Sequence, residues 1–202
     1  YKENGFKKKE DAERLIAELT AEPAGPVTVT GIEKKKENKN APLLYNLAEL
    51  QNDCSKYFKI SPDETLRIVQ ELYEKKMTTY PRTDARVLST AVAKEIHKNI
   101  GGLRSYALAT PFAKEVLEQG TYKNIAKTRY VNDKQITDHY AIIPTGQGLN
   151  NLAGLAPTAA KVYEVIVRRF LSIFYPPAVY QKFSLTVKVK EENFFASFKV
   201  LV

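Results

Sequence analysis

Cysteine is nearly absent from this chain of 202 residues: Cys54 stands alone. An internal disulfide scaffold and a cysteine-based zinc site are therefore excluded, and a reducing, cytosolic compartment fits. Histidine is scarce too, with only His97 and His139. No apolar run approaches the roughly 18 residues that a membrane span requires, and no basic-then-apolar leader opens the chain. Asp and Glu are scattered along expected helix faces and turns, without the paired cluster typical of a Mg²⁺ site. There is no internal repeat and no low-complexity tract. Tyr1 is not an initiator Met, and Val202 ends an apolar run with no closing turn, so both ends are expected to be cuts through a longer protein.

Positive charge and apolar residues are plentiful. Hydrophobic residues make up 44% and charged residues 27%, the balance of a globular chain able to bury a core. A net charge of +8 attracts a polyanion such as DNA or RNA at long range. Lysines that merely keep a protein dispersed explain the same number.

The apolar spacing predicts a helix over Lys9 to Thr20, with Ala12, Leu15, Ile16 and Leu19 on one face. Pro23, Gly25 and Pro26 break it. Pro26 to Ile32 alternates as a half-buried strand, and Lys34 to Asn40 reads as a solvated strand end and linker. Helices follow. Asn46 and Glu49 form a capping pair ahead of Leu47, Leu50 and Cys54. Ser61, Pro62 and Glu64 start a helix through Leu66, Val69, Leu72 and Tyr73 that should end near Lys76. Ser89 caps another, through Ile96 and Ile100, stopped by Gly101 and Gly102. Pro111 to Glu118 is a short helix, and Gly120 to Pro144 a loop with short extended pieces. Pro157 opens the longest helix, with Val162, Val165, Ile166 and Leu171 in its core face and Pro176 and Pro177 at its end. A hairpin closes the chain: Phe183 to Val189, a polar turn over Lys190 to Asn193, then Ala196, Phe198 and Val200. The expected class is α+β, a mainly helical domain inserted into a small antiparallel β-domain whose two flanks share one sheet.

Thr78-Thr79-Tyr80-Pro81-Arg82-Thr83-Asp84 carries the chemistry. Proline disfavours helical geometry at the residue before it, so Tyr80 sits on a stiff, extended connector between helices. Arg82 falls on the same side if the backbone is extended. A phenol ionises near pH 10 and is a poor nucleophile at neutrality. A guanidinium favours phenolate and grips a phosphate with fork geometry. Tyrosine with arginine thus suits phosphodiester transesterification, in which the enzyme bond stores the energy of the broken backbone. Asp84 could relay a proton or orient Arg82, and Thr83 could donate to a phosphate oxygen. Against this, most of the 12 tyrosines must be packing or surface residues. The second segment is Thr137-Asp138-His139-Tyr140-Ala141-Ile142-Ile143-Pro144-Thr145. An imidazolium at His139 could bind the phosphate or move a proton. The plainer alternative is a structural histidine held by Asp138. His97 belongs to a solvated helix face.

Thr-Tyr-Pro-Arg-Thr-Asp followed by Thr-Asp-His-Tyr-Ala-Ile-Ile-Pro-Thr resembles the type IA DNA topoisomerases, most closely topoisomerase III. Pro42 to Gln51 looks like the helix entering that family's tyrosine domain, and Val165 to Phe170 like its closing helix. The resemblance spans essentially the whole chain. It implies that residues 1–42 and 178–202 belong to a β arch or hinge domain and 43–177 to the helical tyrosine domain. Tyr80 then takes the 5′ phosphate of a cut strand through a phosphotyrosine link, and Arg82 is the cation at the scissile phosphate. His139 assists, Asp84 is a proton or orientation partner, and another strand passes through the opened gate before resealing. Thr83, Arg86, Lys127 and Arg129 are candidate contacts to single-stranded DNA. Ala85 stands where the family often has serine, and Tyr140 where topoisomerase III commonly has a second histidine.

The family's Mg²⁺ site lies on a TOPRIM domain that nothing here resembles. The resemblance therefore implies no metal in this chain, inactivity without the remaining domains of the same polypeptide, and a cytoplasmic, nucleoid-associated bacterial setting. Recombinases place their tyrosine after the arginines and histidine, unlike Tyr80, and relaxases need a histidine cluster. The remaining rival is a non-catalytic basic module that binds single-stranded nucleic acid.

Overall fold

Short polar residues set the helix starts. In the computed structural model, which describes residues 5–21 and 26–202, the side chains of Asn46, Ser61 and Ser89 each accept the backbone N–H three residues on. Each satisfies a donor that the first helical turn leaves open. The helices are α1 (Lys9–Thr20), α2 (Leu47–Phe58), α3 (Pro62–Glu74), α4 (Thr90–Gly102), α5 (Thr110–Gln119) and α6 (Pro157–Ser172). The strands are β1 (Val27–Lys39), β2 (Ala178–Val189) and β3 (Glu192–Leu201). Pro23 and Gly25 of the expected break lie outside the described residues.

The described residues divide into two units, one running up to Lys39 and resuming at Pro177–Val202, the other Asn40–Pro176. The first holds a three-stranded antiparallel sheet in the order β1-β2-β3. β1 precedes the helical unit and β2 follows it, and Lys39 pairs with Ala178. The sheet therefore clasps the two ends of the insertion, the α+β arrangement expected.

Four details of this unit differ from the sequence reading. The basic run Lys34–Lys39 is not a linker but the second half of β1, paired residue for residue from Lys34↔Phe183 to Lys39↔Ala178. Long lysine side chains tolerate this because their stems lie on the sheet while the ammonium stays in water; the Lys34 ammonium sits 5.7 Å from the Phe183 ring centre. Second, a bulge interrupts the register between Val29 and Gly31. It returns Ile32 to the face of Val27 and Val29, opposite Leu185, where strict alternation would turn it away. Third, the hairpin turn is tighter than expected: Val189 pairs with Glu192, leaving only Lys190 and Glu191 in the loop. Fourth, the apolar face of β1 is open among the described residues, with Val27 71% and Ile32 56% exposed, so the half-buried reading of β1 does not hold.

The helical unit owns the core. Leu50 and Cys54 of α2, Val69 and Leu72 of α3, Ile96 and Ile100 of α4, and Tyr163, Ile166 and Phe170 of α6 are all buried in one cluster. Each such side chain contributes roughly 1.5–3 kcal/mol on leaving water. The segment expected as loop, Gly120 to Pro144, contains 3-10 turns at Thr121–Lys127 and Asp133–Gln135. Two helix ends matter for the site. Gly101 and Gly102 do not stop α4 by left-handed geometry. They sit inside its last turn, and glycine is required at 102 because a Cβ there would overlap the carbonyl oxygen of Gly146. α3 ends in a reciprocal pair of bonds, Lys76 N–H to Tyr73 O at 2.8 Å and Met77 N–H to Leu72 O at 2.9 Å. Lys76 takes the left-handed position at φ 61, where a side chain costs about 1 kcal/mol relative to glycine.

Candidate active site

The stretch from Met77 to Thr83 is pinned to a second segment. Met77 O accepts from Thr145 N at 3.0 Å, and Thr79 N donates to Ile143 O at 3.0 Å. The Thr79 hydroxyl donates to Ala141 O at 3.0 Å and accepts from Ile143 N at 2.9 Å. Thr83 donates its hydroxyl to His139 O at 2.9 Å and accepts from Ala85 N at 3.1 Å. The two motifs, 62 residues apart at Thr79 and Ala141, thus form one laced strip of backbone. Proline at 81 has no N–H to leave unsatisfied in it.

Tyr80 stands on that strip, half-buried and outside any helix. Its ring lies 4.4 Å from the His139 ring at 42°, and Tyr73 of α3 meets it edge-on at 5.4 Å. The three rings hold the phenol by shape, since aromatic pairs of this geometry add stability beyond their buried area. Tyr80 and His139 open onto a cleft of about 530 Å³, also lined by Glu74, Lys76, Thr78, Thr79, Tyr140, Thr145 and Gln147. Thr78 is buried, and its hydroxyl has no hydrogen-bond partner among the described residues.

Other candidates are placed differently. Arg82 and Asp84 are exposed, and neither lines the cleft. Arg82 makes no ion pair among the described residues, and Asp84 is engaged only through its carbonyl, which accepts from Asn46 Nδ2 at 3.1 Å. Thr83 is 8% exposed, and its single proton is given to the His139 carbonyl rather than held out for a phosphate. Arg86 is bonded to Leu44 O at 3.2 Å and to Glu49 at 3.0 Å, so its charge is already matched. Lys127 and Arg129 are exposed and lie outside the cleft lining. His139 is held through its carbonyl by Thr83, and His97 is exposed as expected.

Sequence reasoning missed a polar network behind the strip. Arg169 of α6 donates to Asp53 at 2.9 Å, to Leu43 O at 2.9 Å and to the Tyr45 hydroxyl at 3.1 Å. Its guanidinium also lies 4.0 Å from the Tyr45 ring centre. Tyr45 in turn donates to Asp53 at 2.5 Å. Burial first, and then that bond to a carboxylate, push the Tyr45 phenol far above its ordinary range. This tyrosine is a locked structural donor. Only the run Tyr45-Asn46-Leu47 beside a Pro-Leu-Leu entry hinted at it. Missed too was Tyr73, whose place in the α3 apolar pattern read as core.

The family model described as DNA topoisomerase matches residues 1–202. The chain belongs to the type IA DNA topoisomerase family. It is 36% identical over 197 residues to DNA topoisomerase 3 of Bacillus cereus, covering 96% of this chain and 26% of that protein. Against DNA topoisomerase 3 of Bacillus subtilis the identity is 34% over 189 residues, 93% of this chain and 25% of the relative. The chain therefore spans about a quarter of the length of the curated relatives it matches. A solved structure, full-length topoisomerase I from Thermotoga maritima, superposes with a TM-score of 0.61 at 20% identity, covering all of this chain and 31% of that one. That likeness is one of fold.

Proposed function

We propose that this topoisomerase chain carries the strand-cutting tyrosine of a longer enzyme, and that Tyr80 is the nucleophile. One observation supports the reading above others: a half-buried phenol on a laced, non-helical strip, packed on an imidazole at the wall of an open cleft. In the reaction the Tyr80 phenol oxygen forms a bond to phosphorus and the bond from phosphorus to the 3′ oxygen breaks. The leaving oxygen takes a proton, the phenol gives one up, and the 5′ end stays on the tyrosine. Resealing runs the same exchange backwards and needs no nucleotide. His139 assists at the phosphate, and the exposed Arg82 guanidinium, without an ion pair among the described residues, neutralises it. Asp84 orients that cation or relays a proton. Lys127 and Arg129 add sequence-independent phosphate contacts to single-stranded DNA.

The carboxylates of this chain do not fit a Mg²⁺ site: among the described residues no three His, Cys, Asp or Glu side chains come together in a way that could hold a metal ion. We place the cation on a TOPRIM domain elsewhere in the same polypeptide, and no step here runs through it. Residues 43–177 then act as the gate-bearing tyrosine domain, and residues 1–42 with 178–202 as part of the arch that hinges it, in a bacterial cytoplasm at the nucleoid. Among the described residues no helix is long and apolar enough to cross a membrane.

The test is Tyr80→Phe in the full-length protein. Relaxation of negatively supercoiled DNA and the denaturant-trapped covalent protein–DNA adduct should both vanish, while thermal unfolding stays unchanged. Relaxation at the parent rate would leave only the non-catalytic binding module. The 202-residue chain by itself should yield no adduct.

A further inference from the structure

The cleft beside Tyr80 faces an anion in the proposed reaction, yet Arg82 does not line it. Its lining contains a single lysine, Lys76, and no arginine. We infer that Lys76 seats a backbone phosphate of the bound DNA strand in this cleft. The inference rests on the cleft being the cleavage site.

Three observations carry it. Lys76 is exposed and has no carboxylate partner among the described residues, whereas its neighbour Lys75 is paired to Glu71 at 3.1 Å. Glu74, the one acid lining the cleft, has its carboxylate engaged by Gln70 Nε2 at 3.2 Å. No ion pair joins it to Lys76 among the described residues. The Lys76 backbone is also held on both sides, its N–H on Tyr73 O and its carbonyl by the Thr145 hydroxyl. Tyr73 and Thr145 are themselves lining residues, so the stem of Lys76 starts from a point fixed on the cleft wall. Left-handed geometry does not by itself mark it out, because Lys59 and Lys190 share that conformation. Position on the cleft does. An ammonium is a compact charge on a flexible stem, suited to a phosphate oxygen whose place shifts as a strand is threaded and cut.

The left-handed backbone provides a test in which stability and binding move in opposite directions. In the full-length protein carrying Tyr80→Phe, so that no cleavage intervenes, a single-stranded DNA oligonucleotide is titrated at several salt concentrations. Lys76→Gly should raise the unfolding temperature, because glycine accepts this conformation freely. The same variant should bind about tenfold more weakly, the loss expected of one charge-assisted contact. Its salt dependence should be shallower by about 0.7 in log–log slope, one phosphate contact on a single strand. Lys76→Gln should bind as weakly as the glycine variant at unchanged stability, and Lys76→Arg should recover most of the affinity. Parent affinity and parent slope in Lys76→Gly would overturn the inference, as would a loss in Lys76→Gln that appears only with lost thermal stability. Failure of the Tyr80 reading shows elsewhere, as relaxation surviving Tyr80→Phe.

Discussion

At the scale of single residues, the site is organised by threonine hydroxyls that link backbone to backbone. Thr83 is the sharpest case: it gives its proton to the His139 carbonyl and receives one from Ala85 N, in a nearly closed environment. Thr83→Val keeps the shape and removes both bonds. It should lower stability by about 1–3 kcal/mol, since a buried donor and acceptor are left unpaired. Thr83→Ser restores the hydroxyl, so thermal unfolding, and adduct yield in the full-length protein, should both return toward the parent. Equal adduct yields in the two variants would mean that the hydroxyl does not position His139. Cys54 illustrates the opposite role. Burial pushes its thiol up to about 11. A thiolate is the reactive form, so a thiol reagent near pH 8.5 should label it only after denaturant is added. The same shift carries a sign for stability. Its contribution is fully present below the ordinary thiol pKa and is lost as pH rises toward about 11.

At the scale of elements, helix ends decide how the cleft is built. The strip around Tyr80 is reached through the left-handed turn at Lys76 and is backed by glycines whose missing side chains let loop and helix touch. Gly148 is one, at φ 68, where a Cβ would overlap Lys75 O. Gly102 is the other, against Gly146. Gly102→Ala should destabilise the helical unit by about 1–3 kcal/mol through forced repacking, although alanine is the better helix former. Gly101→Ala, one residue away with nothing within 4 Å, should be neutral or stabilising. Chemical denaturation of the pair separates contact from propensity. The caps were readable beforehand because Asn46, Ser61 and Ser89 act on neighbours three residues away. The bulge at Thr30 and the continuation of β1 through Lys39 were not, because both depend on a partner strand far along the chain.

At the scale of the whole chain, the two units differ in what holds them. No described residue of the sheet unit is buried, while the helical unit closes around a continuous apolar cluster. Excised residues 40–176 should therefore unfold in one cooperative transition by circular dichroism. The sheet residues joined by a short linker should show no such transition, for want of a core. A cooperative sheet unit would mean that its open face is stable without cover.

Local patterns in the amino-acid order determined the helices, their caps, the closing hairpin and the identity of the Tyr80 and His139 segments, because each rests on spacing or on contacts a few residues apart. Which groups share the cleft was decided only by tertiary structure. Arg82 sits two residues from Tyr80 and yet does not line it, whereas Lys76 does. Arg86 reads as a free cation until Glu49, 37 residues earlier, is seen against it. Side-chain direction and long-range pairing follow from how distant segments lace together, and no short stretch of sequence encodes that.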